Sequence, residues 1–199
     1  SRSADHSART HTNMGYIFDP EKLHSLAKGV VGMPRKQMIA QLISDLAQAH
    51  PGYIETRQKW IFNLSGGATG IMTVLHASLS EYLIIFGTPI GTEGFSGTFR
   101  LDIHDFMLDG QMWIYTDDNP EERVEHRAGD HALLRRGQSK AWKSPENAWM
   151  LEYGRGNIPS CLPLALGNAV FSALDPSIVW DTIATYGSLT IRSLLKGKL

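Results

Sequence analysis

Residues 99–107 read Phe99-Arg100-Leu101-Asp102-Ile103-His104-Asp105-Phe106-Met107. The odd positions are Phe99, Leu101, Ile103, Asp105 and Met107, and the even ones through His104 are Arg100, Asp102 and His104. Such alternation marks a strand, because successive strand side chains point to opposite faces. It places Asp105 on the apolar face. A carboxylate there costs free energy unless it is paired, hydrogen-bonded or protonated. Two readings of Asp105 follow: a carboxylate bound to a turn amide near Asp109-Gly110, or a pocket carboxylate whose pKa burial has raised.

Working outward, Asp109-Gly110 predicts a hairpin turn before a strand over residues 111–115. Further strands are expected at 60–64, 82–86, 123–127, 132–136, 140–143 and 148–153, with Gly91, Gly94 and Gly97 punctuating a loop. Many short strands separated by Gly, Pro and Asp suggest a small barrel or sandwich. Asp19-Pro20 supplies an N-cap and a first-turn proline for a helix carrying Leu23, Leu26 and Ala27. A second helix follows Pro34, with Met38, Leu42, Ile43 and Leu46 at helical spacing, and His50-Pro51-Gly52 stops it. Asp175-Pro176 repeats the start signature before Val179, Ile183, Tyr186, Thr190 and Leu194. The class is therefore α+β, mainly β. Residues 1–13 read as a polar, disordered segment and 14–199 as one domain.

Hydrophobic residues make up 42% and charged residues 20% of the 199, an ordinary globular balance. A formal net charge of −1 leaves no electrostatic footprint for nucleic acid. Cys161 is the only cysteine, which excludes an intramolecular disulfide and argues against a cysteine zinc site. No stretch reaches the ~20 apolar residues of a spanning helix. A chain that opens at Ser1 is compatible with removal of an upstream anchor. Residues 157–174 lack charge but carry Pro159, Pro163 and Gly167, which fits a buried or membrane-surface segment.

Glu152 is the only charge in Trp149-Met150-Leu151-Glu152-Tyr153, and alternation leaves its direction open because both faces are apolar. Glutamate is rarely buried without a purpose. With Asp105 it makes a candidate acid/base pair, able to add a proton at one carbon and remove one at another. Metal-binding barrels use a His-x-His pair with a later Glu and His. Here His126 and His131 are five apart, His104 stands alone, and no His-x-His falls in the strand region. No metal and no cofactor are expected, and His76 reads as a structural histidine. Ser65-Gly66-Gly67 and the Gly91, Gly94, Gly97 series lack the lysine of a phosphate loop and read as turns. Asn63-Leu64-Ser65 fits the glycosylation pattern but lies in an expected strand.

Two segments carry a family resemblance. Leu75-His76-Ala77-Ser78-Leu79-Ser80-Glu81-Tyr82, continuing to Phe86-Gly87-Thr88, resembles the sigma-1 receptor and the fungal sterol C8–C7 isomerases. So does Trp149-Met150-Leu151-Glu152-Tyr153-Gly154-Arg155-Gly156-Asn157-Ile158-Pro159-Ser160. The resemblance implies a cupin-like β-barrel without a metal, flanked by N-terminal helices, with a C-terminal helical pair over its mouth. It also implies a homotrimer at the membrane surface of the endoplasmic reticulum when an anchor precedes the chain, and otherwise a soluble cytoplasmic protein. By motif position the family's aspartate and glutamate fall on Asp105 and Glu152. Asp102, Tyr82, Phe86, Phe99, Ile103, Met112 and Tyr186 occupy positions near its ligand pocket. Ala68 replaces an aromatic of the receptor and reshapes the pocket floor.

Three functions follow from the resemblance. The first is a sterol isomerase moving the ring double bond from C8 to C7, with lipophilic amines as inhibitors that copy the carbocation. The second is a receptor-like binder of cationic amphiphiles and sterols that performs no chemistry. The third is a diverged soluble isomerase or cyclase acting on another polyene or terpenoid with the same acid. Trp180 and Tyr186 are expected as interfacial aromatics on a membrane-facing C-terminal helix.

Overall fold

Two cores share one sheet. The computed structural model describes residues 15–171 and 174–198, so the disorder expected over 1–13 lies outside the described residues. Helices α1 (Pro20–Gly29) and α2 (Arg35–Ala49) come first. Strands β1 (Trp60–Ser65), β2 (Ala68–Ala77), β3 (Glu81–Thr88), β4 (Thr92–Phe95) and β5 (Leu101–Thr116) follow. Then come β6 (Asn119–Arg127), β7 (His131–Leu134), β8 (Lys140–Ser144) and β9 (Ala148–Gly156). A 3-10 turn over Ile158–Cys161 leads into α3 (Leu162–Phe171) and α4 (Pro176–Leu195).

The strands pair antiparallel in the order β1-β2-β3-β9-β5-β8-β4, with β6 and β7 also on β5. The long β5 serves both halves of the sheet. Its first part pairs with β9 and its second with β6 and β8, so the sheet curls on itself. The Phe95 amide donates to the Gly66 carbonyl at 2.8 Å, and the Thr69 amide to Thr92 Oγ1 at 2.9 Å. These bonds bring β4 against the β1–β2 turn and nearly close the barrel.

Alternation along β3, β5 and β9 divides their side chains between the cores. Tyr82, Ile84, Phe86, Ile103, Met107 and Met150 face the interior of the barrel. Leu83, Ile85, Phe106, Leu108, Leu151 and Tyr153 face outward and pack with Phe18, Leu23, Met38, Leu42 and Leu46 from the N-terminal segment, α1 and α2. Each fully buried side chain of this size contributes roughly 1.5–3 kcal/mol. The outer core is therefore a major part of the stability, and the N-terminal helices form one wall of it. Glu81, fully buried on β3, ties both chain ends to this wall. It accepts from the amides of Ile17 at 2.9 Å and Phe18 at 3.2 Å and from Tyr153 Oη at 2.7 Å, and it pairs with Lys198 Nζ at 2.9 Å.

The expected helix starts are realised. Asp19 caps α1 by accepting from the Lys22 amide, and Asp175 caps α4 by accepting from the Ser177 amide. The C-terminal pair lies over the barrel mouth, where Leu162 of α3 and Ile178, Thr182 and Tyr186 of α4 line the cavity. Trp180 is 71% exposed, whereas Tyr186 turns inward, which corrects the expectation of an interfacial tyrosine. Among the described residues no helix is long and apolar enough to cross a membrane.

Three local expectations differ from the structure. Strand β2 went unassigned in the sequence because it is apolar on both faces and lacks period-two contrast. The glycine loop over 91–97 contains β4, which pairs with β8. Most clearly, Asp109-Gly110 is not a hairpin turn. Strand β5 runs through it with a register shift between Met107 and Asp109, and the chain reverses later, where Thr116 faces Asn119. Gly110 takes φ +75°, a left-handed conformation that suits a bulge as well as a turn. A Cβ there would stand 2.1 Å from the Asn147 carbonyl oxygen. Gly110→Asn, tolerated at a hairpin tip, is expected to cost about 2–4 kcal/mol here through backbone collision. Denaturant unfolding measures it, and a cost below ~0.5 kcal/mol would contradict the bulge.

Candidate active site

The register of β5 and β9 places Asp105 directly opposite Glu152. Both belong to the inward-facing sets of their strands, which settles the direction that alternation had left open for Glu152. They sit in a cavity of about 170 Å³ lined by apolar side chains of β1, β2, β3, β5, β8 and the C-terminal helices. One water needs about 10–15 Å³ of such volume. The cavity is thus a ligand volume rather than a hydration site.

Glu152 Oε1 accepts a hydrogen bond from Tyr82 Oη at 2.6 Å. The surface that Glu152 retains opens onto the cavity. Burial first, and then the facing Asp105, push its pKa up to about 7, against the opposing pull of Tyr82 and Lys140. Glu152 therefore holds a proton at mildly acid pH and begins to ionise near neutrality. Burial, together with Glu152, also raises the Tyr82 phenol, and burial lifts the Cys161 thiol to about 11, so both stay neutral around it.

Asp105 has a different partner. Its Oδ2 accepts from Lys140 Nζ at 2.5 Å, with both side chains almost fully buried. Its Oδ1 is buried without a hydrogen-bond partner, among the described residues, and Asp105 lines the cavity. The turn-amide reading of Asp105 is excluded: the carboxylate belongs to the pocket, and the Gly110 amide donates to Asp109 Oδ1. Lys140 is fixed at the start of β8. Its amide donates to Ser96 Oγ and its carbonyl accepts from the Ser96 amide, each at 2.9 Å.

Of the binding positions expected from the sequence, Tyr82, Phe86, Phe99, Ile103, Met112 and Tyr186 line the cavity with the two carboxyls. Asp102 does not. It lies on the opposite face of β5, where Arg136 contributes its amide at 2.9 Å and its guanidinium at 3.1 Å, and Arg155 stands at 3.9 Å. Those arginines hold its carboxyl below the usual range, although burial opposes them. Ala68 lines the cavity, so the position where an aromatic was missing is indeed a wall position. Sequence reasoning overlooked Lys140 and Trp142, although both lie in a strand it expected and their spacing of two puts them on one face.

His104 Nδ1 and His131 Nε2 are 3.0 Å apart, and His24 meets the Gly129 carbonyl at 2.9 Å. His76 bonds the Tyr53 carbonyl through Nδ1 at 2.9 Å, while its Nε2 has no partner among the described residues. Among the described residues, no group of three or more His, Cys, Asp or Glu side chains is placed to hold a metal ion.

These features define a β-barrel protein whose apolar cavity, among the described residues, carries two opposed carboxyls and one ammonium. The chain belongs to the family described as ERG2 and Sigma1 receptor like protein, which it matches over residues 5–198. It is 38% identical over 187 residues to the C-8 sterol isomerase ERG2 of Gibberella zeae, covering 92% of this chain and 79% of that protein. It is 34% identical over 174 residues to the sigma non-opioid intracellular receptor 1 of Xenopus tropicalis, covering 86% and 78%. Among solved structures, an RmlC-like cupin from Shewanella frigidimarina overlaps half of this chain and 85% of its own, with a TM-score of 0.43 and 13% identity.

The raised Glu152 pKa has a thermodynamic consequence. The native state binds this proton more tightly than the unfolded chain, whose glutamate titrates near 4.5. Stability from this group is complete below that value and is lost as pH rises towards 7. Glu152→Gln, which cannot ionise, should therefore unfold at higher denaturant than the unmodified protein at pH 8, by up to about 3 kcal/mol. The gap should shrink to under about 1 kcal/mol at pH 5 and close below about pH 4. A gap independent of pH would show that Glu152 ionises normally.

Proposed function

We propose that the protein is a sterol isomerase that moves a ring double bond from C8 to C7. The observation that carries this reading is the opposition of Glu152, which holds a proton near neutrality, to Asp105, which is paired with an ammonium. Such a pair has an acid and a base on one wall of an apolar cavity. The relatives named C-8 sterol isomerase support the substrate class.

Glu152 delivers its proton to C9 of the C8=C9 alkene. The π electrons form the new C–H bond, and a tertiary cation remains at C8. The Glu152 carboxylate left behind, with the aromatic faces of Phe86, Phe99 and Trp142 in the lining, stabilises that cation. Asp105 accepts a proton from C7, and the C–H electron pair becomes the C7=C8 bond. Proton transfer from Asp105 back to Glu152, directly or through water, resets the pair. No electrons enter or leave, so no oxidant or cofactor is required. Substrate and product differ only in the position of the double bond.

A binder without chemistry is the competing reading, favoured by the receptor relative and by a glutamate able to pair with a bound amine. Turnover separates the two. Incubation with a C8-unsaturated sterol should yield the C7 isomer. Its kcat/KM should fall as pH rises through about 7, because the donor is the protonated form of Glu152. Glu152→Gln should lower kcat by about 10²–10⁴-fold with the fold intact. Near-normal turnover in the Gln variant would defeat the acid assignment, and binding of the sterol without isomerisation would favour the receptor reading.

A further inference from the structure

The buried lysine is the feature of this cavity that an acid/base pair does not by itself require. An ammonium is costly to bury, and Lys140 is placed deep in the barrel with its nitrogen on one oxygen of Asp105. We propose that Lys140 is a positioning residue that assigns the single proton of the carboxyl pair to Glu152 by holding Asp105 as the carboxylate. This inference rests on the acid/base reading of the site.

Two opposed carboxyls on one wall are otherwise near-equivalent, and a shared proton would divide between them. The surroundings of Asp105 supply no other asymmetry of this size. Across it stands Glu152 from β9, and Tyr82 of β3 bonds Glu152 rather than Asp105. His126 of β6 and His131 of β7 are within electrostatic reach, but burial lowers the pKa of each and keeps it neutral near pH 7. Tyr186 and Cys161, from the C-terminal side of the cavity, stay neutral as well. Among the described residues, Lys140 is the cation in direct contact.

The arrangement matches the difficulty of the two proton transfers. Protonating an alkene is the harder step and needs a strong acid. The charge of Lys140 acts on Glu152 in that direction, lowering its pKa against burial. A hydrogen next to a carbocation is very acidic, so a carboxylate can take it while it remains tied to an ammonium. Lys140 also has a cost for binding, since it repels an incoming cation and occupies the carboxylate that such a cation would seek. The lysine thereby favours turnover over the retention of cationic amphiphiles.

The test compares Lys140→Met and Lys140→Arg with the unmodified protein, using a C8-unsaturated sterol as substrate. A lipophilic tertiary amine and its uncharged hydrocarbon counterpart serve as binding probes. In Lys140→Met, kcat should fall about 10²-fold with little change in KM, and the acid side of the pH profile should move towards neutrality. Lys140→Arg should keep the pH profile and at least a tenth of kcat. Affinity for the amine should rise about tenfold in Lys140→Met, while affinity for the hydrocarbon stays the same. An unchanged pH profile and kcat in the Met variant would overturn the proposal and leave the isomerase reading standing. If the unmodified protein shows no turnover, the isomerase reading falls and the amine comparison alone decides the lysine: a tenfold gain supports its role and no gain refutes it. If Lys140→Met does not fold, infrared spectra of the folded Glu152→Gln variant give the answer. The stretch of a protonated carboxyl in the cavity at pH 6 should be present in the unmodified protein and absent in Glu152→Gln. Its persistence would place the proton on Asp105 and overturn the proposal.

Discussion

The site depends on one constraint, the β5–β9 register that sets Asp105 against Glu152. Because strand side chains alternate strictly, a slip of one residue would turn either carboxyl out of the cavity. The flanking pairs oppose such a slip. Ile103 and Met107 belong to the inner core while Phe106 and Leu108 face the outer core, and on β9 Met150 and Leu151 are divided in the same way. The two cores thus hold the register from both sides. The bulge at Gly110 then bends β5 so that β8, with Lys140, can bring its ammonium to the same point.

A carboxyl pair in an apolar barrel is unfavourable for stability, and the structure limits the cost in two ways. One charge is neutralised by Lys140 and the other is removed by protonation of Glu152. The comparison with Glu81 is instructive. It is a fully buried glutamate, and it receives two backbone amides, a tyrosine hydroxyl and a lysine. That environment satisfies a charge and anchors the chain ends. Glu152 receives one tyrosine hydroxyl and otherwise faces the cavity. The same residue type is satisfied in one setting and left open to a cavity in the other, and the number of donors around it makes the difference.

Much of this was legible in the sequence, for physical reasons that differ between elements. Asp19-Pro20 and Asp175-Pro176 announced their helices because capping is a local interaction. Residues 99–107 announced a strand and the inward direction of Asp105 because polarity changes sharply from one face to the other. Where both faces are buried the signal vanishes, which is why β2 went unassigned and why Glu152 could not be oriented. Asp109-Gly110 misled because the left-handed glycine of a hairpin and that of a bulge look the same in one dimension. Asp102 shares its strand with Asp105 but differs in parity, so the resemblance to a family brought it near the pocket while the pleat turned it away. Lys140 was hidden for another reason. A lysine at a strand start reads as solvated, and only the tertiary fold shows that it ends on Asp105.

The central claim is that two different carboxyls handle two different protons. A single-turnover reaction of protein pre-equilibrated in D₂O with a C8-unsaturated sterol tests it most directly. Glu152 would carry solvent deuterium, and Asp105 would take the C7 hydrogen as ordinary hydrogen. The account predicts a C7 isomer bearing one deuterium at C9. A C7 isomer formed at full yield without deuterium would mean that one group carries the same hydrogen from C7 to C9, and would contradict the account.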